Sequence, residues 1–299
     1  MRPVLLAILA VLAGPISGLA DEMAVQVRAV PVPAEQLSGL EMAGAWSLSA
    51  RHPDFGGFSG LEISDSTLVA VSDRGSLLTA RIDAAEGLSL SAARMVPLQD
   101  SFGPMRGKDH GDAEGLAALP SGIAVSFERE HRIGRLEGGT VAPLYRLPAF
   151  DSLAFNGGLE GLAALPDGRL LALAEEPVEG AARYFLLGDG VEEGRLPLLS
   201  RHRVTGADIG PDGRLYLVLR DFSRLTGVSI RVMRYALAES RPVADSATQL
   251  AAWESASGID NMEGIALTQD QEGTSLWLIS DDNFNFVQRT LLVRLRVVE

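Results

Sequence analysis

Apolar residues along this chain fall in short runs rather than at helical spacing. Thr67 to Val71, Arg169 to Ala174, Arg214 to Leu219 and Ser275 to Ser280 are rich in Leu, Val, Ile or aromatic side chains. Gly, Pro or Asp bounds these runs, a pattern that predicts short strands. Runs at Ala92 to Leu98, Val141 to Leu147 and Ala247 to Trp253 read the same way. No stretch holds a 3.6-residue apolar period long enough to predict a helix.

The runs recur in a fixed setting. Glu114-Gly115-Leu116-Ala117 returns as Glu160-Gly161-Leu162-Ala163 and as Glu263-Gly264-Ile265-Ala266, with weaker copies at Ser59-Gly60-Leu61 and Thr205-Gly206-Ala207. Successive copies stand 55, 46, 45 and 58 residues apart. Pro120, Pro166 and Pro211 follow six residues on, and Gly122, Gly168 and Gly213 eight residues on. A short apolar run then ends in an acid, at Asp73, Glu128, Glu175, Asp221 and Asp281. Each unit reads as strand, turn, strand, acid, which is a hairpin signature.

Units of about four strands and 40–50 residues are the blades of a β-propeller. A β-sandwich would explain the alternation of strands but not their recurrence. The predicted fold is therefore an all-β propeller formed by residues 21–299 as one domain. Five registers are visible, whereas chain length at about 46 residues per blade favours six. Thr290 to Val297 is expected to close the ring by pairing with Val25 to Val32 or Ala43 to Ser49.

In an antiparallel hairpin, the start of one strand lies beside the end of the next. Glu114 is thus expected near Glu128, Glu160 near Glu175, Glu263 near Asp281, Ser59 near Asp73 and Thr205 near Asp221. If these are inner strands, the acids gather at one mouth of the central channel and raise each other's pKa unless cations compensate. Oxygen ligands without cysteine suit a hard divalent cation, above all Ca²⁺. Arg74, Arg129 and Arg220 adjoin the acids, so arginine–carboxylate locks between blades are the competing reading. The glycine after each ring residue serves either a bulge or a close approach at the axis.

Two more polar clusters carry candidate chemistry. Lys108-Asp109-His110-Gly111-Asp112 leads into Glu114; Lys108 and His110 could bind an anion or act as general acid. Asp281-Asp282-Asn283-Phe284-Asn285 resembles a calcium-binding string without the full EF-hand pattern. Gly-x-Ser-x-Gly, His-Glu-x-x-His and P-loop motifs are all missing from the sequence.

Charge and leader sequence narrow the setting. A net charge of -13 argues against nucleic-acid or anionic membrane partners. Lys108 is the one lysine, and there is no cysteine, which rules out thiolate chemistry. Residues 1–20 read as a signal peptide: Arg2, an apolar core from Val4 to Ala13, and Gly18-Leu19-Ala20 before cleavage at Asp21. The expectation is a periplasmic or secreted protein, free of the membrane after cleavage.

The blocks Gly56 to Leu61, Asp112 to Ala117, Asn156 to Leu165, Asp260 to Ala266 and Leu276 to Arg294 resemble the phytase-like family of exported bacterial proteins. That resemblance implies a propeller, an exported location and hydrolysis of phosphate or other esters. In a metal-assisted ester or phosphoester hydrolase, Glu114, Glu160 and Glu263, with Lys108 and His110, would be catalytic. Asp73, Glu128, Asp281, Asp282 and Asn283 would hold the metal, and Arg74, Arg129 and Lys108 would bind the small-molecule substrate. A non-catalytic propeller that binds a ligand or protein, and a lactonase-like metal propeller, are the alternatives left open.

Overall fold

A computed structural model describes residues 21–34, 37–198, 201–254 and 257–298. The leader reading falls on residues 1–20 and lies outside the described residues. The chain forms a five-bladed propeller. The first blade comprises Phe58–Ser64, Thr67–Ser72, Ser76–Asp83 and Ser89–Pro97, paired antiparallel from the axis outward. The second comprises Ala113–Leu119, Gly122–Phe127, Arg132–Glu137 and Thr140–Tyr145. Leu159–Ala164, Leu170–Ala174, Ala181–Leu187 and Val191–Pro197 make the third. Arg203–Ile209, Leu215–Ser223, Gly227–Tyr235 and Thr248–Glu254 make the fourth.

The fifth blade closes the ring with both ends of the chain. Met262–Asp270, Gly273–Ser280 and Thr290–Val297 come from the C-terminal part, and Leu40–Ala50 pairs onto the last of them. Val25–Ala29 then adds a fifth strand outside. Of the two expected closures, the later segment is therefore the direct one.

The length argument for six blades fails because the surplus residues do not form a blade. They lie in that added strand, in the two-residue strands Gln99–Asp100 and Gly103–Pro104, in the short helix Lys108–Gly111, and in the small hairpin Leu237–Ala238 with Arg241–Pro242.

Apolar side chains fill the space between neighbouring blades. Leu68 and Leu78 of the first blade pack with Trp277 and Leu292 of the fifth, and Val69 and Val71 pack with Val125 and Phe127 of the second. Each such buried side chain contributes about 2 kcal/mol. Ring closure therefore holds many contacts that no single blade could make.

Every inner strand carries one β-bulge, opposite the last residues of the next strand. The residue pushed out is Ser59, Glu114, Glu160, Thr205 or Glu263, so the bulge aims five equivalent side chains alike. The following glycine is needed for close approach. A Cβ on Gly60 would stand 2.5 Å from the carbonyl oxygen of Glu114, and one on Gly115 would stand 2.8 Å from that of Glu160. Below the bulges, Leu61, Leu116, Leu162, Ala207 and Ile265 plug the axis and leave a void of only about 10 Å³. The two mouths of the channel are separate sites.

Candidate functional site

One mouth is built from two stacked tiers of side chains. The bulge residues form the lower tier. In four blades the residue just past the end of the second strand forms the upper tier, its backbone N–H donating to the carbonyl of the residue just before the inner strand: Asp73 to Gly57, Glu128 to Asp112, Glu175 to Gly158 and Asp281 to Asn261. Counting the same register in the fourth blade, where Arg203 faces Arg220 and Val204 faces Leu219, gives Arg220 rather than an acid. Asp221, expected in the ring beside Thr205, lies one residue beyond and pairs with Arg201 at 2.8 Å. That expectation was off by one position, because the apolar run was read to its acid instead of to its bulge.

Three carboxylates form the heart of the mouth. Glu114, Glu128 and Glu160 each belong to two of three overlapping triads of oxygen donors, Asp112–Glu114–Glu128, Glu114–Glu160–Glu263 and Glu128–Glu160–Glu175, within each of which the oxygens lie within 4.8 Å of one another. None of the three makes an ion pair among the described residues, whereas Asp73, Asp112, Glu175 and Glu263 do. Arg220 stands 3.6 Å from both Glu175 and Glu263 and donates to the Asn261 side-chain oxygen at 2.5 Å. On the other side, Lys108 stands 2.6 Å from Asp73 and 3.8 Å from Asp112, and Arg129 Nε lies 3.0 Å from Asp112.

The electrostatics follow from that crowding. Burial, then the charges of Glu160, Asp112, Glu263 and Glu128, hold the Glu114 carboxyl well above its ordinary range. Burial and then Glu175, Glu263 and Glu128 do the same to Glu160. Glu128 is pushed up to about 7 by burial and by Asp112, and Asp281 to about 8 by burial, Glu263 and Asp73. Burial also raises Glu263 against the pull of Arg220. Burial alone would lower Lys108, but Asp73, Asp112 and Glu114 outweigh it and raise its pKa.

The remaining expected residues fall at different distances from this heart. Arg74 lays its guanidinium 3.4 Å over the ring of Phe284 at the rim. His110 is turned outward, 65% exposed, and pairs with Glu130 at 3.2 Å. Asp282 receives hydrogen bonds from the backbone of Gly57 and Phe284 and from the Thr290 hydroxyl. It braces the loop after the fifth blade's second strand. Asn283 donates its backbone N–H to Asp281, at 2.5 Å. Sequence reasoning missed Arg220 as a ring member and Asn261 as a bridge between Arg220 and Asp281, whereas it had already set Ser59 in register with the glutamates. Counting 14 residues from Gly206, as from Gly161 to Glu175, would have found the first.

Two buried polar atoms support a ligand in the mouth. Ser59 Oγ and Asp73 Oδ1 have no hydrogen-bond partner, and Ser59 is only 2% exposed. Oxygen donors only, several of them anionic, match the preference of Ca²⁺. The residues therefore fit such an ion.

A family model described as "Phytase-like: Esterase-like activity of phytase" matches residues 53–284. The chain belongs to this family. No curated protein sequence matches the chain. Among solved structures, a gluconolactonase from Xanthomonas campestris is similar at 13% identity, with 93% of this chain and 99% of that one covered, at a TM-score of 0.48. The PQQ-bound aldose sugar dehydrogenase from Streptomyces coelicolor is similar at 14% identity over 92% and 98% of the two chains, with a TM-score of 0.43.

Proposed function

We propose that this phytase-like propeller is an exported, divalent-metal-assisted hydrolase of small anionic esters, phosphoesters first among them. The observation that carries this reading is the set of three overlapping oxygen triads joined through Glu114, Glu128 and Glu160, which make no ion pair among the described residues, with Lys108 and Arg129 held beside them on Asp73 and Asp112. These three glutamates, with Ser59 and Asp112, would hold the cation, calcium being the best chemical match. A bound divalent cation would supply charge to polarise the ester oxygen and acidify water.

The chain's own groups do the rest. Lys108, Arg129 and Arg74 line the approach and would bind and orient the substrate anion. Asp281, pushed up to about 8 by burial and by its neighbours Glu263 and Asp73, would take or return a proton at the mouth. His110, exposed and paired outside the mouth, has no part in this scheme. Export with loss of residues 1–20 belongs to the same proposal, as does a soluble state without nucleic-acid or membrane partners.

The test is a panel of p-nitrophenyl phosphate, bis-p-nitrophenyl phosphate, p-nitrophenyl acetate and a lactone, assayed with calcium and with chelator. The proposal expects phosphoester turnover that chelator abolishes and that Glu128→Gln lowers at least tenfold. Calcium binding without turnover of any ester would assign the mouth to binding alone. Turnover of the lactone only would assign it to lactone chemistry.

A further inference from the structure

The fourth blade breaks the ring's rule, and the break has a charge. Four blades place an acid in the upper tier, at Asp73, Glu128, Glu175 and Asp281; the fourth places Arg220, and its lower-tier residue is Thr205 rather than a glutamate. Thr205 donates its hydroxyl to the carbonyl of Met262 at 2.9 Å and has no charge to offer a cation. The Arg220 guanidinium reaches across to Glu175 and Glu263 from the gap that this leaves. Each of those acids belongs to an oxygen triad that also contains Glu160. The opposite edge of the mouth keeps the two unpartnered buried atoms, Ser59 Oγ and Asp73 Oδ1.

We infer that Arg220 is a built-in cation that stands in for a second metal ion and limits this mouth to one. Two triads, Glu114–Glu160–Glu263 and Glu128–Glu160–Glu175, have the donors for an ion on the fourth-blade side. A divalent ion there would lie close to a fixed guanidinium, and like charges at such spacing in a buried site repel strongly. The ion is therefore confined to the side away from Arg220, at Glu114 and Glu128, which make no ion pair among the described residues; Asp112 beside them is already held by Lys108 and Arg129. The inference rests on the metal reading proposed above.

Calorimetric titration of the metal-free protein with Ca²⁺ tests it through stoichiometry. Wild type should take up one ion. Arg220→Gln, which frees Glu175 and Glu263, should take up two, and calcium should raise its Tm more than that of wild type. Arg220→Lys keeps the charge and should stay at one. Two ions in wild type, or in Arg220→Lys, would overturn the inference, as would a single ion in Arg220→Gln. If wild type binds no calcium, the metal reading of the native mouth fails; calcium uptake by Arg220→Gln would then still support the stand-in role, and its absence would end it. If Arg220→Gln folds only when calcium is present, the dependence supports the inference. If it stays unfolded at every calcium concentration, ions do not replace the guanidinium and the inference falls.

Discussion

At the scale of single residues, this propeller concentrates uncompensated charge in two places. Glu160 has no ion-pair partner among the described residues and faces Glu114 and Glu128 within 4.8 Å. Glu160→Gln should therefore leave the metal-free protein as stable as wild type, or more stable by up to about 2 kcal/mol, by relieving repulsion. It should also reduce the stabilisation that calcium confers, which amounts to about 2.7 kcal/mol at a hundredfold excess over Kd. Thermal melts in chelator and in calcium check both. A large loss in chelator would mean that the acid is structural, as a broken buried pair costs about 3–5 kcal/mol. The second place is the opposite mouth, a cavity of about 560 Å³ lined by Ile63, Leu119, Leu165 and Ile209 with Glu62 and Asp208. Burial pushes Asp208 up to about 7 from an ordinary value of 3.8. The folded state then holds a proton that the unfolded chain has released. Its stabilisation is full below about pH 4 and is lost as pH rises towards 7. Asp208→Asn should flatten that part of the stability–pH curve, by roughly 2–4 kcal/mol across the window. Urea midpoints measured from pH 4 to pH 8 would show it.

At the scale of elements, the bulge is what turns a repeated tetrapeptide into a site. A regular strand would point the glutamate and the glycine to opposite faces, whereas the extra residue re-aims the side chain and brings the backbones of adjacent blades together. The glycine is part of that contact. Gly60→Ala would press a methyl group onto the Glu114 carbonyl, and the strand cannot retreat without opening the axis. We expect a loss of about 1–3 kcal/mol, measured by urea denaturation, with calcium affinity falling as well. Strand positions and the hairpin repeat were legible in the sequence because both depend on neighbours within a few residues. Arg220 was not. Its place in the ring is set by which residues of Arg203–Ile209 and Leu215–Ser223 pair across the bulge, and acid-to-acid counting slips by one there.

At the scale of the whole molecule, closure is the main device. Leu40–Ala50 completes the blade that ends with Thr290–Val297, so a chain beginning at residue 51 would leave that blade with three strands and an unpaired edge. Leu292 and Trp277 would lose neighbours from the same face. Such a truncation should abolish the cooperative melt, followed by circular dichroism, and leave an aggregation-prone protein. A sharp transition close to that of the intact domain would contradict the closure argument.

The sequence by itself determined the strands, the propeller class and the gathering of Glu114, Glu160 and Glu263 with Asp73, Glu128 and Asp281, since turn residues and strand alternation act locally and repeat. Tertiary structure alone decided the rest. Blade number depended on whether surplus residues could pair as a sixth sheet or had to decorate the five. The separation of the acids into arginine-paired and unpaired ones depended on where Arg220, Lys108 and Arg129 reach across blades. These are contacts between segments far apart in the chain, and charge pairing is fixed by distance in space, which the order of residues does not carry.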